Sequence, residues 1–474
     1  SIIIPANSAV GGGFDVANSC VFNPGAKMYH EYGSATNRRT FTISLWIKKC
    51  STTTEQNFVF AGNLSGSNPY MDARFNSDQT INWYCSAGNG SLAFNLITTR
   101  KFTDPNAWYH MVLAVDTTQG TSSNRVKLYT NGVEQTSLST KAYPSQNFET
   151  PVNDVNYEVQ YGAIRNNTPN YNGYMCEIVE IDGQQLDPTS FGEFDEDSGV
   201  WKPISVSGLT FGDNGYYLDF EDSSDLGQDV SGNNNDFTLT NIAATDQSTD
   251  SCTNNFATMN ALNSVGTGTA FTLSEGNLKA TSPNSGQGVT QNFGSSSTIG
   301  VTSGKWYLEA KATVGAGGYS RNAIGISGEV STQARINAES GSNSVIYYNS
   351  ENGNKYVNGT SSSYGASYAT NDIIGIAIDL DSGTKTVTFY KNGSSQGAIT
   401  IPTAVSSTTD GAFFIYQGDN SGNSGTTSTF EFNFGSPPYT ISSGNADGNG
   451  YGNFEYAVPS GYYSLNTKNL AEYG

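Results

Sequence analysis

Three acidic side chains in one strand-like run are the first candidates for catalysis. Glu177, Glu180 and Asp182 lie within residues 177–182. A retaining glycoside hydrolase needs two carboxyl groups about 5 Å apart, and alternate residues of one strand can supply them. Glu180 and Asp182 would share a face, but the next alternate position is Gln184, whose amide can act neither as acid nor as nucleophile. Because Glu177 points the other way, we interpret these acids as solvent-facing residues of an edge strand.

Nucleophilic catalysis of the Ser-His-Asp type would have to use one of two histidines, His30 and His110. Neither is accompanied by a Gly-x-Ser-x-Gly turn, which places the nucleophile in many hydrolases. His110 lies in an alternating strand, so we predict a hydrogen-bonded framework residue. The sequence therefore predicts that the protein is not an enzyme.

A possible metal loop lies near the middle of the chain. Asp229, Ser231, Asn233 and Asn235 place oxygen-bearing side chains at every second position, as Ca²⁺ loops do. The run lacks the central Gly and the distant Glu of an EF-hand, and Asp and Asn beside Gly are also ordinary turn residues. These four residues are the candidate Ca²⁺ ligands, and we expect no other cofactor.

Tyrosines near the middle of the second half are the candidate ligand-binding residues. They lie among Asn, Ser and Gly, where aromatic faces and amides suit stacking on sugars or adaptable contacts with proteins. Half-buried packing along strands is the alternative interpretation. The five candidates are Tyr347, Tyr348, Tyr356, Tyr364 and Tyr368.

Composition excludes several classes of protein. The chain has 474 residues, 42 acidic against 22 basic, and a formal net charge of −20. Such a surface repels phosphate backbones, so we expect no nucleic-acid partner. No run approaches the roughly 20 apolar residues of a membrane helix, so we expect no membrane insertion. The start of the chain lacks a basic region and an apolar core, so we expect no secretory signal and synthesis in the cytoplasm.

The elements that must position these residues are strands. Aromatic residues make up 12% and charged residues 14% of the chain, with abundant Gly, Ser, Thr and Asn, which is typical of a folded, turn-rich β protein. Residues 126–135 and 387–396 both read as a strand entering an Asn-Gly turn, a strong hairpin signal. The five cysteines have no zinc spacing, so we expect free thiols.

Three segments follow from these patterns. Residues 1–205 and 263–474 each predict an antiparallel β-sandwich, because alternating strands are separated by turn residues at regular intervals. Residues 206–262 are acidic and polar and predict a connector. Within this connector, residues 216–220 could add an edge strand to either neighbour.

The first sandwich resembles the laminin-G/concanavalin-A-like family. The resemblance rests on the strand 41–48, the Trp-Tyr-His of 108–110, the hairpin 128–132 and the closing strand 173–178. Residues 229–236 are similar to the Asp-x-Ser-Gly-Asn loop that usually opens such a domain, although here they follow one. The resemblance implies a concanavalin-like jelly roll.

The second sandwich resembles a SPRY module, which is also concanavalin-like. Residues 304–309 are similar to its entry strand, 372–379 and 387–393 to its hairpin, and 432–435 to its exit strand. The expected fold class is therefore all-β, with two concanavalin-like antiparallel sandwiches joined by an acidic connector.

The combination of both sandwiches with the ending 458–470 resembles bacteriophage tail-fibre or virion-surface proteins. This resemblance implies a non-enzymatic subunit of a tail fibre, spike or capsid decoration, located on the virion surface. Its expected partners are other virion proteins and a host-surface glycan or receptor, and its expected state is a homo-oligomer such as a trimer. The alternatives are a polysaccharide depolymerase of the same architecture and a decoration protein without a ligand.

Overall fold

The protein forms two compact units that meet in the sequence between Asn254 and Asn255. Both are all-β apart from short helices. The computed structural model describes residues 13–52, 54–63, 68–164, 171–265, 271–282, 291–314, 322–328, 344–406, 411–421 and 427–474.

The described residues of the first unit form short to medium strands and three single-turn 3₁₀ helices (Ser122–Asn124, Pro188–Ser190 and Ala244–Asp246). The strands are β1 (Ser19–Phe22), β2 (Lys27–Glu31), β3 (Thr40–Lys49), β4 (Gln56–Gly62), β5 (Tyr70–Phe75), β6 (Thr80–Gly88), β7 (Ser91–Lys101), β8 (Trp108–Asp116), β9 (Val126–Thr130), β10 (Val133–Glu134), β11 (Leu138–Ala142), β12 (Glu158–Tyr161), β13 (Gly173–Asp182), β14 (Gly192–Phe194), β15 (Trp201–Pro203), β16 (Tyr216–Leu218), β17 (Thr238–Thr240) and β18 (Gln247–Ser248).

Two sheets face each other in the first unit. The hairpin sheet has the order β10-β9-β8-β3-β13-β1-β18, with β16 attached to β13, and the opposite sheet has the order β11-β7-β6-β5-β4-β12-β2-β17. Alternation along β3 directs Phe41, Ile43 and Leu45 between the sheets. There they join Met71 and Trp83 of the opposite sheet in one buried core.

Residues 183–212 cover the outer face of this hairpin sheet. Phe191 and Phe211 of the segment are buried against Val112 of β8 and Val179 of β13. The segment also contains the two-stranded ribbon β14–β15. Because the sheet is covered on both faces, β8 and β13 are buried on both sides, and their sequences do not alternate strictly between apolar and polar residues.

The second unit repeats this architecture. Its described strands are β19 (Met259–Val265), β20 (Thr272–Ser274), β21 (Lys279–Thr281), β22 (Gln291–Val301), β23 (Lys305–Thr313), β24 (Asn322–Ser327), β25 (Val345–Asn349), β26 (Lys355–Val357), β27 (Thr360–Ser362), β28 (Ile373–Asp379), β29 (Thr386–Lys391), β30 (Ser394–Thr400), β31 (Phe413–Ser421), β32 (Thr429–Asn433) and β33 (Tyr463–Ser464), and its helices are α1 (Thr403–Ser406) and α2 (Thr467–Tyr473).

Its hairpin sheet has the order β20-β21-β32-β23-β28-β29-β30, with β33 attached to β23, and its opposite sheet has the order β19-β22-β31-β24-β25-β26-β27. Trp306, Ile376 and Phe430 of the hairpin sheet pack with Ile324 and Ile415 of the opposite sheet in the core. The outer face of the hairpin sheet is again covered, here by the C-terminal segment. Phe454 of that segment is buried against Tyr307 and Ala377.

The repeated sequence forms the same hairpin in both units. Asn131 and Gly132 have φ of 47° and 78°, and Asn392 and Gly393 have φ of 48° and 77°. Two successive positive φ values define the type I′ turn that Asn-Gly favours. In each hairpin the Asn side-chain oxygen accepts a hydrogen bond of 2.8 Å from a main-chain N–H of the neighbouring strand.

Each turn glycine lies beneath an aromatic ring of the covering segment. A Cβ at Gly132 would lie 2.4 Å from the Trp201 ring, and a Cβ at Gly393 would lie 2.6 Å from the Tyr456 ring. Only glycine fits, because the space and the positive φ both exclude a side chain. The hairpin tips are therefore framework, as their turn chemistry indicates.

The segment predicted as a connector, residues 206–262, is divided differently in the structure. β16, within the predicted 216–220 strand, pairs with β13, while β17 pairs with β2 and β18 pairs with β1. The first unit therefore extends to Asn254, and β19 already belongs to the second. These strands are only two or three residues long, so no periodicity distinguished them from loop.

No helix within the described residues is long and apolar enough to cross a membrane.

Candidate functional site

The acidic run does not lie on a solvent-facing edge strand, and that expectation was wrong. β13 is a central strand between β3 and β1. Glu180 is fully buried between the sheets, where the hydroxyl of Tyr32 donates to its Oε2 at 3.1 Å. Burial raises the pKa of Glu180 to about 8. The carboxyl group is part of a tyrosine-rich interior formed with Tyr32, Tyr161 and Tyr216.

Glu177 lies at a β-bulge of the same strand. Its φ is 50°, and the register between β13 and β3 shifts between Cys176 and Val179. The hydroxyl of Tyr217 donates to Glu177 Oε2 at 2.8 Å, and burial raises the pKa of Glu177 to about 8. Asp182 instead accepts from the main-chain N–H of Asn37 at 3.2 Å. These three carboxyl groups bond to separate parts of the framework rather than facing one another as a catalytic pair.

His110 is a framework residue, as predicted. The indole N–H of Trp201 donates to His110 Nδ1 at 3.0 Å, so Nε2 carries the proton and donates to Ser44 Oγ at 2.8 Å. The ring is fully buried, and burial lowers its pKa to about 3. A histidine that donates to the serine cannot remove the proton of that serine, so this pair has no nucleophilic chemistry.

The predicted Ca²⁺ loop is tied to the fold by its own hydrogen bonds. Asp229 Oδ1 accepts from the main-chain N–H of Tyr217 and of Ser231, and Oδ2 accepts from the Ser231 hydroxyl and the Asn235 N–H, all at 2.9 Å. The amide N–H groups of Asn233 and Asn235 donate to main-chain carbonyls of residues 212–215. A cation would compete with four N–H and O–H donors for Asp229. This geometry favours a structural loop, and Ca²⁺ binding stays a prediction.

Two of the five candidate tyrosines form a buried cross-strand pair. Tyr347 of β25 and Tyr356 of β26 are directly opposite, and their rings stack at 4.5 Å between centroids. They are only 4% and 9% exposed and pack with Val345 and Tyr416. Both residues lie within strands, so the pair agrees with the alternative interpretation of packing along strands rather than with a ligand-binding surface.

The other three candidates contribute to the core between the two sheets. Tyr348 lies in β25, and Tyr364 and Tyr368 lie in the segment between β27 and β28. Tyr348 is fully buried and donates its hydroxyl to the carbonyl of Ala366. Tyr368 is 4% exposed and donates to the carbonyl of Asn322 at 2.7 Å. Tyr364 is half-buried and packs edge-on against Tyr348. The structure brings these three together as core packing.

A cluster that the sequence did not single out lies on the first unit. β4, β5, β6, β7 and β12 of the opposite sheet direct alternate side chains away from the core, and their register places these residues side by side. Phe60 lies opposite both Gln160 and Asp72, and Asn57 and Asn82 both lie opposite Arg74. We call the set the polar patch: Asn57, Phe60, Asp72, Arg74, Asn82, Asn95 and Gln160.

The polar patch is buried yet incompletely hydrogen-bonded. Asn57, Phe60 and Gln160 have no exposed surface, and Asp72 is 2% exposed. Within the described residues, its side-chain atoms without a hydrogen-bond partner are Asn57 Oδ1, Asp72 Oδ1, Arg74 Nε, Asn82 Oδ1, Asn95 Oδ1 and Gln160 Oε1. Each such group costs about 1–3 kcal/mol when it is left unpaired. So many in one place indicate ordered water at this face of the sheet.

Asp72 is the centre of the patch. Asn57 Nδ2 donates to Asp72 Oδ2 at 3.1 Å, and Arg74 forms an ion pair with the same oxygen. Burial raises the pKa of Asp72 to about 6, and Arg74 opposes that rise. The carboxyl group is therefore ionised at neutral pH, and its Oδ1 is buried without a hydrogen-bond partner among the described residues.

Partly exposed residues border the patch. Tyr70, Tyr84 and Arg74 are half-buried, with aromatic rings of Tyr70 and Tyr84 5.6 Å apart. A cleft of about 300 Å³ adjoins one end and is lined by Glu31, Tyr32, Gly62, Asn63, Val155, Asn156, Tyr157 and Glu158. Glu158 links cleft and patch, because Gln160 Nε2 donates to its Oε1. The aromatic rim and the adjoining cleft together form a candidate binding surface beside the buried polar groups.

Two family descriptions match the chain. The concanavalin A-like lectin/glucanases superfamily, in its laminin-G form, matches residues 25–179, and the SPRY domain matches residues 305–435. The chain contains a laminin-G/concanavalin-A-like domain followed by a SPRY domain. We therefore call the first unit the laminin-G-like domain and the second the SPRY domain. The polar patch belongs to the laminin-G-like domain.

Solved structures resemble parts of the chain. The SPRY domain of human HERC1 is 18% identical, covers 36% of this chain and 96% of its own, and has a TM-score of 0.29. A heptameric SAP-like pentraxin from Limulus polyphemus is 14% identical, covers 37% and 80%, and has a TM-score of 0.27. Mouse laminin alpha1 domains LG4-5 are 10% identical, cover 89% and 91%, and have a TM-score of 0.29. All three TM-scores are low, and we base no functional conclusion on them. No curated protein matches the chain.

The polar patch had one signal in the sequence. In β5, Tyr70, Asp72 and Arg74 alternate with Met71, Ala73 and Phe75, which is the pattern of a half-buried strand. The same pattern is typical of any solvated sheet face, so it did not indicate a site. The burial of Asp72 and its unpaired oxygen are visible only in three dimensions.

Proposed function

We propose that this protein is a non-enzymatic glycan-binding protein and that the sugar binds at the cleft and the tyrosine rim beside the polar patch of the laminin-G-like domain. The single observation behind the proposal is the cleft of about 300 Å³, which is lined by amide, carboxylate and tyrosine side chains and adjoins Tyr70, the residue opposite Gly62 of the cleft. Sugar hydroxyl groups donate and accept hydrogen bonds, so they can bond to the amide and carboxylate groups that line the cleft.

The rim suits the rest of a sugar. Tyr70 and Tyr84 are half-buried at the border of the patch and leave ring surface for the apolar face of a pyranose. The adjoining cleft of about 300 Å³ gives room for a further sugar unit. No carboxyl pair of the acidic run faces this surface, since Glu180 is buried between the sheets and Glu177 bonds to Tyr217. These features support glycan binding, and the assay of reducing ends described below separates binding from hydrolysis.

A glycan array with paired variants tests the proposal. Tyr84→Ala should weaken binding about tenfold, because aromatic stacking contributes about 0.5–1.5 kcal/mol. Tyr129→Ala is the matched control, since Tyr129 is a half-buried tyrosine on the hairpin sheet of the same domain. Equal loss in both variants, or an array without any signal, would contradict the proposal.

The same glycans should be assayed for release of reducing ends. Binding without turnover supports the non-enzymatic function. Turnover would instead favour the alternative, a polysaccharide depolymerase, and an empty array with binding to assembled capsids would favour a ligand-free decoration protein.

We further propose, from the resemblance of the whole chain to tail-fibre and virion-surface proteins, that the protein is a homo-oligomeric virion component, such as a trimer, that attaches to the host surface. Labelling with an antibody and electron microscopy of intact virions tests the location. Light scattering tests the assembly state, and a monomer at micromolar concentration would contradict the trimer.

A further inference from the structure

One row of residues crosses neighbouring strands of the opposite sheet at the cleft. Glu31 of β2 lies opposite Glu158 of β12. Glu158 in turn lies opposite Gly62 of β4, which lies opposite Tyr70 of β5. Tyr84 of β6 extends the row, because its ring lies 5.6 Å from that of Tyr70. Neighbouring strands are about 4.8 Å apart, so the four spacings from β2 to β6 amount to about 19 Å.

The side chains of this row are accessible from the outer face of the sheet. Successive residues of a strand point to opposite faces, and Met71 and Val159 enter the core. Their neighbours Tyr70 and Glu158 therefore point outward, where both are partly exposed. Glu31 at one end of the row is exposed as well. A ligand can therefore reach this row without any movement of the sheet.

Gly62 leaves the middle of the row open. Its φ is 118°, and a Cβ at this position would lie 2.5 Å from the main-chain oxygen of Pro69. No side chain fits there without a shift of the main chain. The cleft, which Glu158 lines, and the tyrosine rim, which begins at Tyr70, are therefore not separated by a side chain. We call the cleft, Gly62 and the two rim tyrosines together the groove.

Each end of the groove has its own apolar contacts. At the cleft end, Val155 is 51% exposed and Tyr157 is half-buried, and both line the cleft. At the rim end are the rings of Tyr70 and Tyr84. Two strand spacings, or about 10 Å, separate β12 after Tyr157 from β5 with Tyr70. A single sugar ring is about as long as one spacing, so it can contact only one of the two ends.

We propose that the groove binds a linear oligosaccharide of about four units, whose chain crosses the strands from the cleft to Tyr84. This inference rests on the proposed glycan-binding function and names the ligand class for the same site. Each pyranose unit extends a linear chain by about one strand spacing, so about four units cover the distance from β2 to β6. A ligand that contacts both ends gains affinity, because its second contact forms within the complex made by the first.

Four series of soluble oligosaccharides of two to six units test the length by calorimetry: cello-, manno-, xylo- and N-acetylchito-oligosaccharides. In a series that binds, we expect the affinity to rise at least about tenfold between two and four units. Beyond about five units the affinity should stay constant, because further units extend past the groove. One four-unit ligand should bind per chain.

Three tyrosine variants assign the two ends of the groove. Tyr84→Ala should weaken binding of four-unit ligands about two- to tenfold and leave two-unit ligands, which occupy the cleft, unchanged. Tyr157→Ala should weaken binding of both lengths. Tyr129→Ala, on the hairpin sheet of the same domain, is the matched control and should change neither. Thermal unfolding of each variant checks that the domain stays folded.

The possible results separate the two proposals. If two-unit and four-unit ligands bind equally tightly, or if Tyr84→Ala weakens both lengths equally, the length is overturned and glycan binding stays intact. An absence of binding by all four series overturns both. A rise in affinity up to about four units that Tyr84→Ala removes supports both.

Discussion

Asp72 in the laminin-G-like domain and Glu309 in the SPRY domain are both buried carboxyl groups on the outer face of a sheet, yet their surroundings differ. Glu309 Oε1 accepts from the Tyr307 hydroxyl at 3.1 Å and from the Tyr456 N–H at 2.8 Å, and Oε2 accepts from the Glu455 N–H at 2.8 Å. Asp72 has partners on Oδ2 only. In the SPRY domain, the C-terminal segment supplies the donors that the sheet requires.

This difference separates a fully bonded framework carboxylate, Glu309, from a partly bonded one, Asp72. Glu309 holds the C-terminal segment through both of its oxygens, which avoids the free-energy cost of an unpaired buried acceptor. Asp72 Oδ1 has no such partner among the described residues, and Glu180 Oε1 is in the same position between the sheets. Burial raises the pKa of both groups, so the pKa alone does not distinguish them.

The largest loss of stability is expected when the framework carboxylate, Glu309, is replaced. Glu309→Leu would leave the N–H groups of Glu455 and Tyr456 and the Tyr307 hydroxyl unpaired, at a cost of about 3 kcal/mol or more. Hydrogen exchange at residues 454–456 should rise by several powers of ten, and the denaturant midpoint of the SPRY domain should fall. Asp72→Asn in the other domain is the comparison, and an equal loss there would remove the distinction between the two carboxylates.

A smaller change in stability, in the stabilising direction, is expected when Glu180 is replaced. Its pKa is about 8 in the folded protein against an ordinary value of 4.5. The folded state thus binds the proton more tightly than the unfolded state, so this stabilisation is complete below about pH 4.5 and is lost as the pH rises through 8. Glu180→Gln, which stays uncharged, should be more stable than the wild type at pH 8–9, by a few kcal/mol. Chemical unfolding of both proteins from pH 5 to 9 measures this, and parallel curves would contradict it.

The two hairpin turns should respond alike, because their geometry is the same in both domains. Gly132→Ala and Gly393→Ala each place a Cβ at positive φ and against a ring, at an expected cost of about 1–3 kcal/mol. Thermal unfolding of each variant gives the cost. A loss of stability in only one domain would show that the two covering segments pack differently against their hairpins.

The smallest effect concerns pH and stability at Asp72. Its pKa is about 6 in the folded protein against an ordinary value of 3.8, so the folded state binds the proton more tightly than the unfolded state. This stabilisation is complete below about pH 3.8 and is lost as the pH rises through 6, so the free energy of unfolding should fall by about 1–2 kcal/mol between pH 5 and 7. Chemical unfolding at both pH values measures this: in Asp72→Asn this pH dependence should disappear, whereas Asp213→Asn, at an exposed residue before β16, should retain it.

The sequence predicted the framework well and the site poorly. Asn-Gly turns and alternating strands such as β3 are local patterns, so both sandwiches and both hairpins could be predicted. The partners of β16, β17 and β18 are set by distant strands, and these strands are too short to have a periodicity. The burial of Tyr348 and Glu180 follows from packing between sheets. The polar patch depends on which atoms lack partners, which no pattern of residue types records.

The pairing of β1 with β18 joins two strands that are far apart in the sequence, which affects the order of folding during translation. β1 begins at Ser19, and its partner β18 contains Gln247 and Ser248. On a ribosome that adds about 5–20 residues per second, the second strand emerges roughly 10 to 50 s after the first. For that time, one edge of the laminin-G-like domain stays open to other chains. An oligomeric protein with this topology depends on folding in the correct order before neighbouring copies meet.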